Sequence, residues 1–266
     1  MQEQMITRDG VALYARLDGM ADPHTPTVVF ANSLGTDHTL WDPVLPYLPT
    51  GLRIIRMDKR GHGRSDVPDG PYTMGALVSD AEAVCDAFEV KDAVFVGLSV
   101  GGLIAQGLAV KRMDLIRALV LSNTAAKIGN PKLWQDRIDT VRAKGLEAMA
   151  DGILQRWFGK DFRESPAAAP WRDLLIRTPV EGYAGVSAAI SGTDFYTPTS
   201  GLRLPTLGIA GSHDGATPPD LVRETIDLIP GSRFELMRRS GHLPCVEEPE
   251  TYAELLTHFM SEIGHI

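Results

Sequence analysis

Five short apolar runs recur along the chain: Thr27–Phe30, Arg53–Arg56, Ala93–Val96, Ala118–Leu121 and Thr206–Ala210. None alternates cleanly with polar residues. Each is apolar on both faces, as a strand of a parallel sheet covered by helices must be. Between the runs the period changes. From Thr73 to Glu89, the residues Met74, Leu77, Val78, Ala81, Val84, Cys85 and Phe88 fall close to helical spacing. Pro218–Ile229 and Pro249–Ile263 read similarly, each with a proline near its start, where the missing N–H costs no intrahelical bond. Alternating strand and helix predicts an α/β fold with right-handed crossovers. Near the amino terminus, Met5–Thr7 and Val11–Leu17 flank Asp9-Gly10, which predicts a hairpin at the leading edge of the sheet.

The alternation stops after Asn123. From about residue 130 to 199 there is no buried-strand run, only helical segments such as Trp134–Met149 and Asp151–Phe158 and the Pro/Ala-rich Ser165–Pro170. Leu204-Pro205 then restarts the strand pattern. The expected organisation is a core of residues 1–124 and 201–266, with residues 125–200 forming a helical cap or lid.

Composition narrows the possible partners. Among 266 residues, 26 are basic and 34 acidic, a net charge of −8, and 44% are hydrophobic. A chain of this length and apolar content buries a sizeable core. The acidic balance, with no basic cluster longer than Arg238-Arg239, argues against a nucleic acid or an anionic membrane surface as partner. The segment Met1–Arg8 lacks the basic start and apolar core of a signal peptide, and Ala93–Val110 is too glycine-rich for a membrane span. A soluble, cytoplasmic protein is expected. Cys85 and Cys245 make neither a disulfide framework nor a zinc site, and free thiols are expected.

The strongest chemical signal is Gly97-Leu98-Ser99-Val100-Gly101, set between the strand Ala93–Val96 and a helix-compatible run from Val100 to Lys111. That is the context of a nucleophile elbow, where a sharp strand-to-helix turn lifts a serine hydroxyl into the open. A glycine-rich turn with an incidental serine would lack the strand and helix on either side. A serine hydroxyl needs a base. His242, in Ser240-Gly241-His242-Leu243-Pro244 after the strand-like Arg233–Met237, has the best context. His24, His38, His258 and His265 fall in predicted loops, surface helices or the tail, and His62 sits in a turn that reads as packing. His213 adjoins the candidate acid and reads as a spectator. That acid is Asp214, which follows the strand ending at Ala210, with Asp220 a distant second; the other usual position, after the preceding strand, holds Asn123. The order Ser99, Asp214, His242 matches the Ser…Asp…His order of the hydrolase triad. An oxyanion hole would use the N–H of Val100 and one from Ala31–Gly35, with Leu34 the expected donor. No dinucleotide or phosphate-loop motif occurs and no ligand group has metal spacing, so catalysis without a cofactor or metal is the simplest reading.

These residues resemble the α/β-hydrolase superfamily over the whole chain and, within it, the 3-oxoadipate enol-lactonases. The similar stretches include Asn32–Asp37 with Trp41–Pro43, Asp58–Gly63, Gly70–Thr73 and Gly97–Ser99. Asn123–Gly129 with Trp134 and Arg137, Arg156–Phe158, Glu181–Ala184 and Ala210–Pro219 continue the match. His242-Leu-Pro-Cys245, Val100 and Ser191–Tyr196 depart from that family's usual pattern. The resemblance implies a mostly parallel sheet of about eight strands flanked by helices, with the cap inserted after the sixth strand. It also implies hydrolysis of a small enol-lactone bearing a carboxylate, in the β-ketoadipate route of aromatic degradation. A carboxylate calls for a cation. Arg137 is the candidate because it lies at i+3 from Trp134 on one helical face, the other reading being a solvated surface charge. Trp134 and Trp157 would line the pocket roof or pack the cap. Two other readings stay open on this scaffold: a general carboxylesterase or cofactor-free perhydrolase, and a ligand receptor that signals to a protein partner. Dehalogenase and epoxide hydrolase relatives are disfavoured, because they place Asp where this chain has Ser99.

Overall fold

The apolar runs become the middle of an eight-stranded sheet in the computed structural model, which describes residues 1–266. Its strands are β1 (Gln2–Arg8), β2 (Val11–Gly19), β3 (Thr27–Ala31), β4 (Arg53–Met57), β5 (Ala93–Leu98), β6 (Ile116–Ser122), β7 (Thr206–Gly211) and β8 (Arg233–Met237). They lie in the order β1-β2-β4-β3-β5-β6-β7-β8. Only β1–β2 and β2–β4 are antiparallel; every other pairing is parallel. Every residue of β3, β5 and β7 is buried, as their two-sided apolar character requires. The edge strands β1 and β8 expose part of their length instead. At the hairpin, Asp9 (φ 50°) and Gly10 (φ 78°) both take the left-handed conformation of a two-residue turn, which pairs Arg8 with Val11.

Helices α1 (Met74–Ala87) and α2 (Val100–Lys111) follow β4 and β5. Six more occupy the stretch between β6 and β7: α3 (Pro131–Lys144), α4 (Ala150–Trp157), α5 (Lys160–Arg163), α6 (Ala169–Arg177), α7 (Val180–Ser191) and α8 (Tyr196–Ser200). The last three are α9 (Pro219–Asp227), α10 (Pro244–Glu247) and α11 (Pro249–Glu262). The expected Trp134–Met149 helix is divided. Gly145, at φ 74°, ends α3, and a separate turn runs over Glu147–Met149. The Pro/Ala-rich stretch makes a 3-10 turn, Pro166–Ala168, that leads into α6. Helix α7 is buried on nearly every side, so it has no polar stripe to mark it in the sequence. It packs against α3 and α1.

The insertion is not a free-standing unit. Its Trp134, Ile138, Val141, Ile153, Trp157 and Tyr183 belong to the same continuous core as the sheet. No helix is long and apolar enough to cross a membrane. Both cysteines are buried and free.

Candidate active site

The expected site residues converge at the carboxyl ends of the parallel strands, where open α/β sheets bind ligands. Ser99 stands between β5 and α2 with φ 58° and ψ −117°, a strained backbone for a residue with a side chain. Its N–H donates to the Ser122 carbonyl at 3.0 Å, and its own carbonyl accepts from Thr124 Oγ1 at 2.6 Å. The turn is that tight because Gly97 and Gly101 have no side chains. A Cβ on Gly97 would lie 2.7 Å from Gly102 Cα, and one on Gly101 would run into the Ala31 carbonyl.

Asp214 lies beyond the end of β7 and its carboxylate is fully used. Oδ1 accepts from the N–H groups of Ala216 and Thr217 at 2.7 and 2.9 Å. Oδ2 accepts from Asn123 Nδ2 at 2.9 Å and Thr217 Oγ1 at 2.8 Å, and lies 2.8 Å from His242 Nδ1. Burial alone would raise this carboxyl. The opposing charge and hydrogen bond of His242, with Asn123 and the Thr217 N–H, outweigh it and hold the group below its ordinary value. An ionised Asp214 only accepts, so His242 Nδ1 carries a hydrogen, and in the neutral ring Nε2 holds the free lone pair.

The loop carrying His242 is tied to the helical insertion. The His242 N–H donates to the Trp157 carbonyl at 2.7 Å. Glu247 accepts from the N–H of Gly241 at 2.5 Å and from that of Gly159 at 2.9 Å. Burial pushes the Glu247 carboxyl up to about 7 against the pull of those two donors.

Ser99 and His242 open onto one cavity of about 130 Å³, whose wall includes Leu34, Trp134, Arg137 and Trp157. Asp214 and Val100 stand behind the wall; Val100 is fully buried as the first residue of α2. No hydrogen bond joins the Ser99 hydroxyl to His242 in this structure. The Leu34 N–H has no protein acceptor. Trp134 is buried, with its indole N–H donated to the Ile128 carbonyl at 2.6 Å.

Two half-buried guanidinium groups share this cavity. Arg137 lies over the Trp134 ring, 5.1 Å from its centroid. Arg156, from α4, is held below its ordinary value by burial and by the neighbouring Arg137. No carboxylate offsets either cation. Tyr183 of α7 closes the same wall.

Residues 26–249 match the family described as alpha/beta hydrolase fold. The chain belongs to the α/β-hydrolase family. This hydrolase is 33% identical over 262 residues, 97% of each chain, to 3-oxoadipate enol-lactonase 1 of Acinetobacter baylyi. The solved structure of the enol-lactonase from Burkholderia xenovorans LB400 superposes with a TM-score of 0.92 at 36% identity, covering 98% of this chain and 100% of that one. A thermophilic esterase from Thermogutta terrifontis, 27% identical, superposes at 0.90 over 99% of both chains.

Two histidines of the hydrolase differ from expectation. His38 is buried rather than superficial, with Nδ1 3.0 Å from Asp58 Oδ1. His62 does more than pack, because its Nε2 accepts from the Gly35 N–H at 3.0 Å. Asp37, His38 and Asp58 bring ligand-type atoms within 4.8 Å of one another, a grouping too scattered along the chain for sequence spacing to show. Asp58 there already accepts from the N–H groups of His38 and Arg64, and Asp37 caps Thr39, so the set is closed on itself. Arg156, Tyr183 and Asn123 are the site residues that sequence reasoning did not single out as such. All three lie in stretches that carry the family resemblance, which was the available signal.

Proposed function

We propose that this chain is a serine hydrolase of a small enol-lactone bearing a carboxylate, 3-oxoadipate enol-lactone being the substrate its relatives suggest, with aromatic catabolism as its setting. Ser99, His242 and Asp214 are its catalytic residues, the N–H groups of Leu34 and Val100 its oxyanion hole, and residues 125–200 its cap. One observation carries the substrate class. Two guanidinium groups without carboxylate partners, Arg137 and Arg156, share a cavity with Ser99. Cations left unpaired in a partly desolvated wall are costly unless an anion completes them. A cavity of about 130 Å³ suits a small substrate.

In the reaction, His242 Nε2 takes the Ser99 proton as Oγ attacks the lactone carbonyl. The oxyanion accepts from Leu34 and Val100 N–H groups, Val100 adding the positive end of α2. Collapse breaks the ring C–O bond. The imidazolium returns its proton to the enol oxygen, and the released enol tautomerises to a ketone. The acyl chain stays on Ser99 until water, deprotonated by His242, attacks the ester and frees the diacid. Asp214 keeps His242 in its working tautomer and stabilises the imidazolium in both halves.

The test replaces the cations. Arg137→Gln and Arg156→Gln each raise KM for the carboxylated lactone about 10–100-fold, the worth of one charge-assisted contact. Each leaves kcat/KM for an uncharged aryl ester within about twofold. An equal loss on both substrates contradicts a carboxylate subsite.

A further inference from the structure

We propose that His62 is a positioning residue that aims the Leu34 N–H at the developing oxyanion. This rests on the oxyanion hole proposed above. The loop after β3 runs Asn32-Ser33-Leu34-Gly35-Thr36, and its Leu34 N–H is unpaired. A loop with a free donor needs an outside anchor to keep that donor pointed into a cavity.

His62 supplies the anchor one peptide further on. Gly35 N–H donates to His62 Nε2 at 3.0 Å. A backbone N–H only donates, so Nε2 must be unprotonated and the ring must carry its hydrogen on Nδ1. The ring is buried, and Nδ1 has no hydrogen-bond partner. The one ring hydrogen bond of normal geometry is therefore the bond to Gly35. Burial drives the imidazole well below its ordinary value, and the Lys59 charge pushes the same way against a smaller opposing pull from the Arg60 backbone, so the ring remains an acceptor. With the Leu34–Gly35 peptide plane held, only the two backbone dihedrals of Leu34 separate the anchor from the oxyanion donor.

The same segment secures the rest of the loop. Lys59 Nζ and Asn32 Nδ2 both donate to the Thr36 carbonyl, at 3.0 and 2.8 Å. Thr36 Oγ1 donates to the Ser33 carbonyl at 2.9 Å. On the opposite side, Leu175, Tyr183 and Trp157 of the helical insertion lie close over Gly35. The loop is thus braced from below by residues 59–62 and covered from above.

The test compares His62→Leu, which removes the acceptor, with His62→Gln, whose Oε1 reaches the place of Nε2. Hydrolysis of p-nitrophenyl acetate and inhibition by phenylboronic acid, which forms a tetrahedral serine adduct, are measured for both. His62→Leu is expected to lower kcat about 10²-fold, near the loss of one oxyanion donor. It should weaken boronate inhibition in proportion and move KM less than about threefold. His62→Gln should stay within about fivefold of the parent on both counts. Equal loss in the two variants, or loss of kcat with boronate affinity unchanged, overturns the proposal. Nitrogen NMR of the parent's His62 ring reads the tautomer without any variant: Nδ1–H is expected, and Nε2–H overturns it. Ser99→Ala in the same assay separates the two levels. If it retains activity, the catalytic assignment fails, whatever the His62 results.

Discussion

Asn123, at the end of β6, donates its side-chain amide to Asp214, beyond the end of β7: Nδ2 lies 2.9 Å from Oδ2 and 3.1 Å from the Gly241 carbonyl. One residue thus joins the loop of the acid to the loop of His242. It does so from a left-handed backbone, φ 47°, that asparagine tolerates better than most residues.

Asn123→Asp is therefore expected to set two carboxylates against each other. Like charges at that separation cannot both ionise easily, so one proton is retained to higher pH. The acid limb of the kcat profile should move up by about one pH unit or more, measured with a neutral ester. Asn123→Ala loses those two hydrogen bonds, the one that Oδ1 accepts from Ser122 Oγ at 2.9 Å, and the preferred residue for that backbone. It should destabilise the protein by about 2–3 kcal/mol in denaturant unfolding. An unshifted profile for the Asp variant would mean that the amide does not govern the acid.

Asp214→Asn should lower kcat roughly 10⁴-fold while leaving the fold intact, because a neutral amide no longer selects the Nδ1–H tautomer. The effect on stability has a definite sign. The Asp214 carboxyl is held below its ordinary value in the folded chain. Its contribution is complete above the ordinary carboxylate value of about 3.9 and is lost as pH falls through the lowered one. The melting difference between parent and variant should narrow from pH 7 towards pH 2.5. A constant difference would deny the charge any role.

Gly182 on α7 tests how the insertion sits on the core. A Cβ there would meet the Gly61 carbonyl, part of the turn that carries His62. Gly182→Ala should force α7 outward and cost about 1–3 kcal/mol, with KM raised because Tyr183 beside it lines the cavity. Gly192→Ala, at the end of the same helix and with nothing nearer than 3.7 Å, is the control and should change neither. Similar effects for both would show that the close approach is not what matters.

Much of this architecture was legible in the chain. Strands buried on both faces announce themselves as β3, β5 and β7 do, and a glycine-flanked serine between strand and helix marks its own turn. Helix α7 could not be read as a separate element, because a helix enclosed on nearly every side has no polar stripe. The candidate catalytic residues Ser99, Asp214 and His242 could be named from their places after strands. Apart from lying in a resembling stretch, Asn123 could be seen only as the wrong residue for an acid, since its partnership with Asp214 depends on two strand ends being neighbours in the sheet. Arg156 was hidden differently. A lone arginine in an amphipathic helix reads as solvated surface until folding brings Arg137 and the cavity beside it. His62 looked like packing because nothing in the sequence brings it to Gly35.

The central claim, hydrolysis of a carboxylated enol-lactone at Ser99, is tested most directly by kcat/KM for 3-oxoadipate enol-lactone against p-nitrophenyl acetate, with Ser99→Ala as control. The expected lactone value is about 10⁵–10⁷ M⁻¹s⁻¹, within the usual enzyme range, at least about 100-fold above the ester and lost in the variant. Rapid ester cleavage with a poor lactone rate would contradict the substrate assignment, and lactone turnover surviving in Ser99→Ala would contradict the nucleophile.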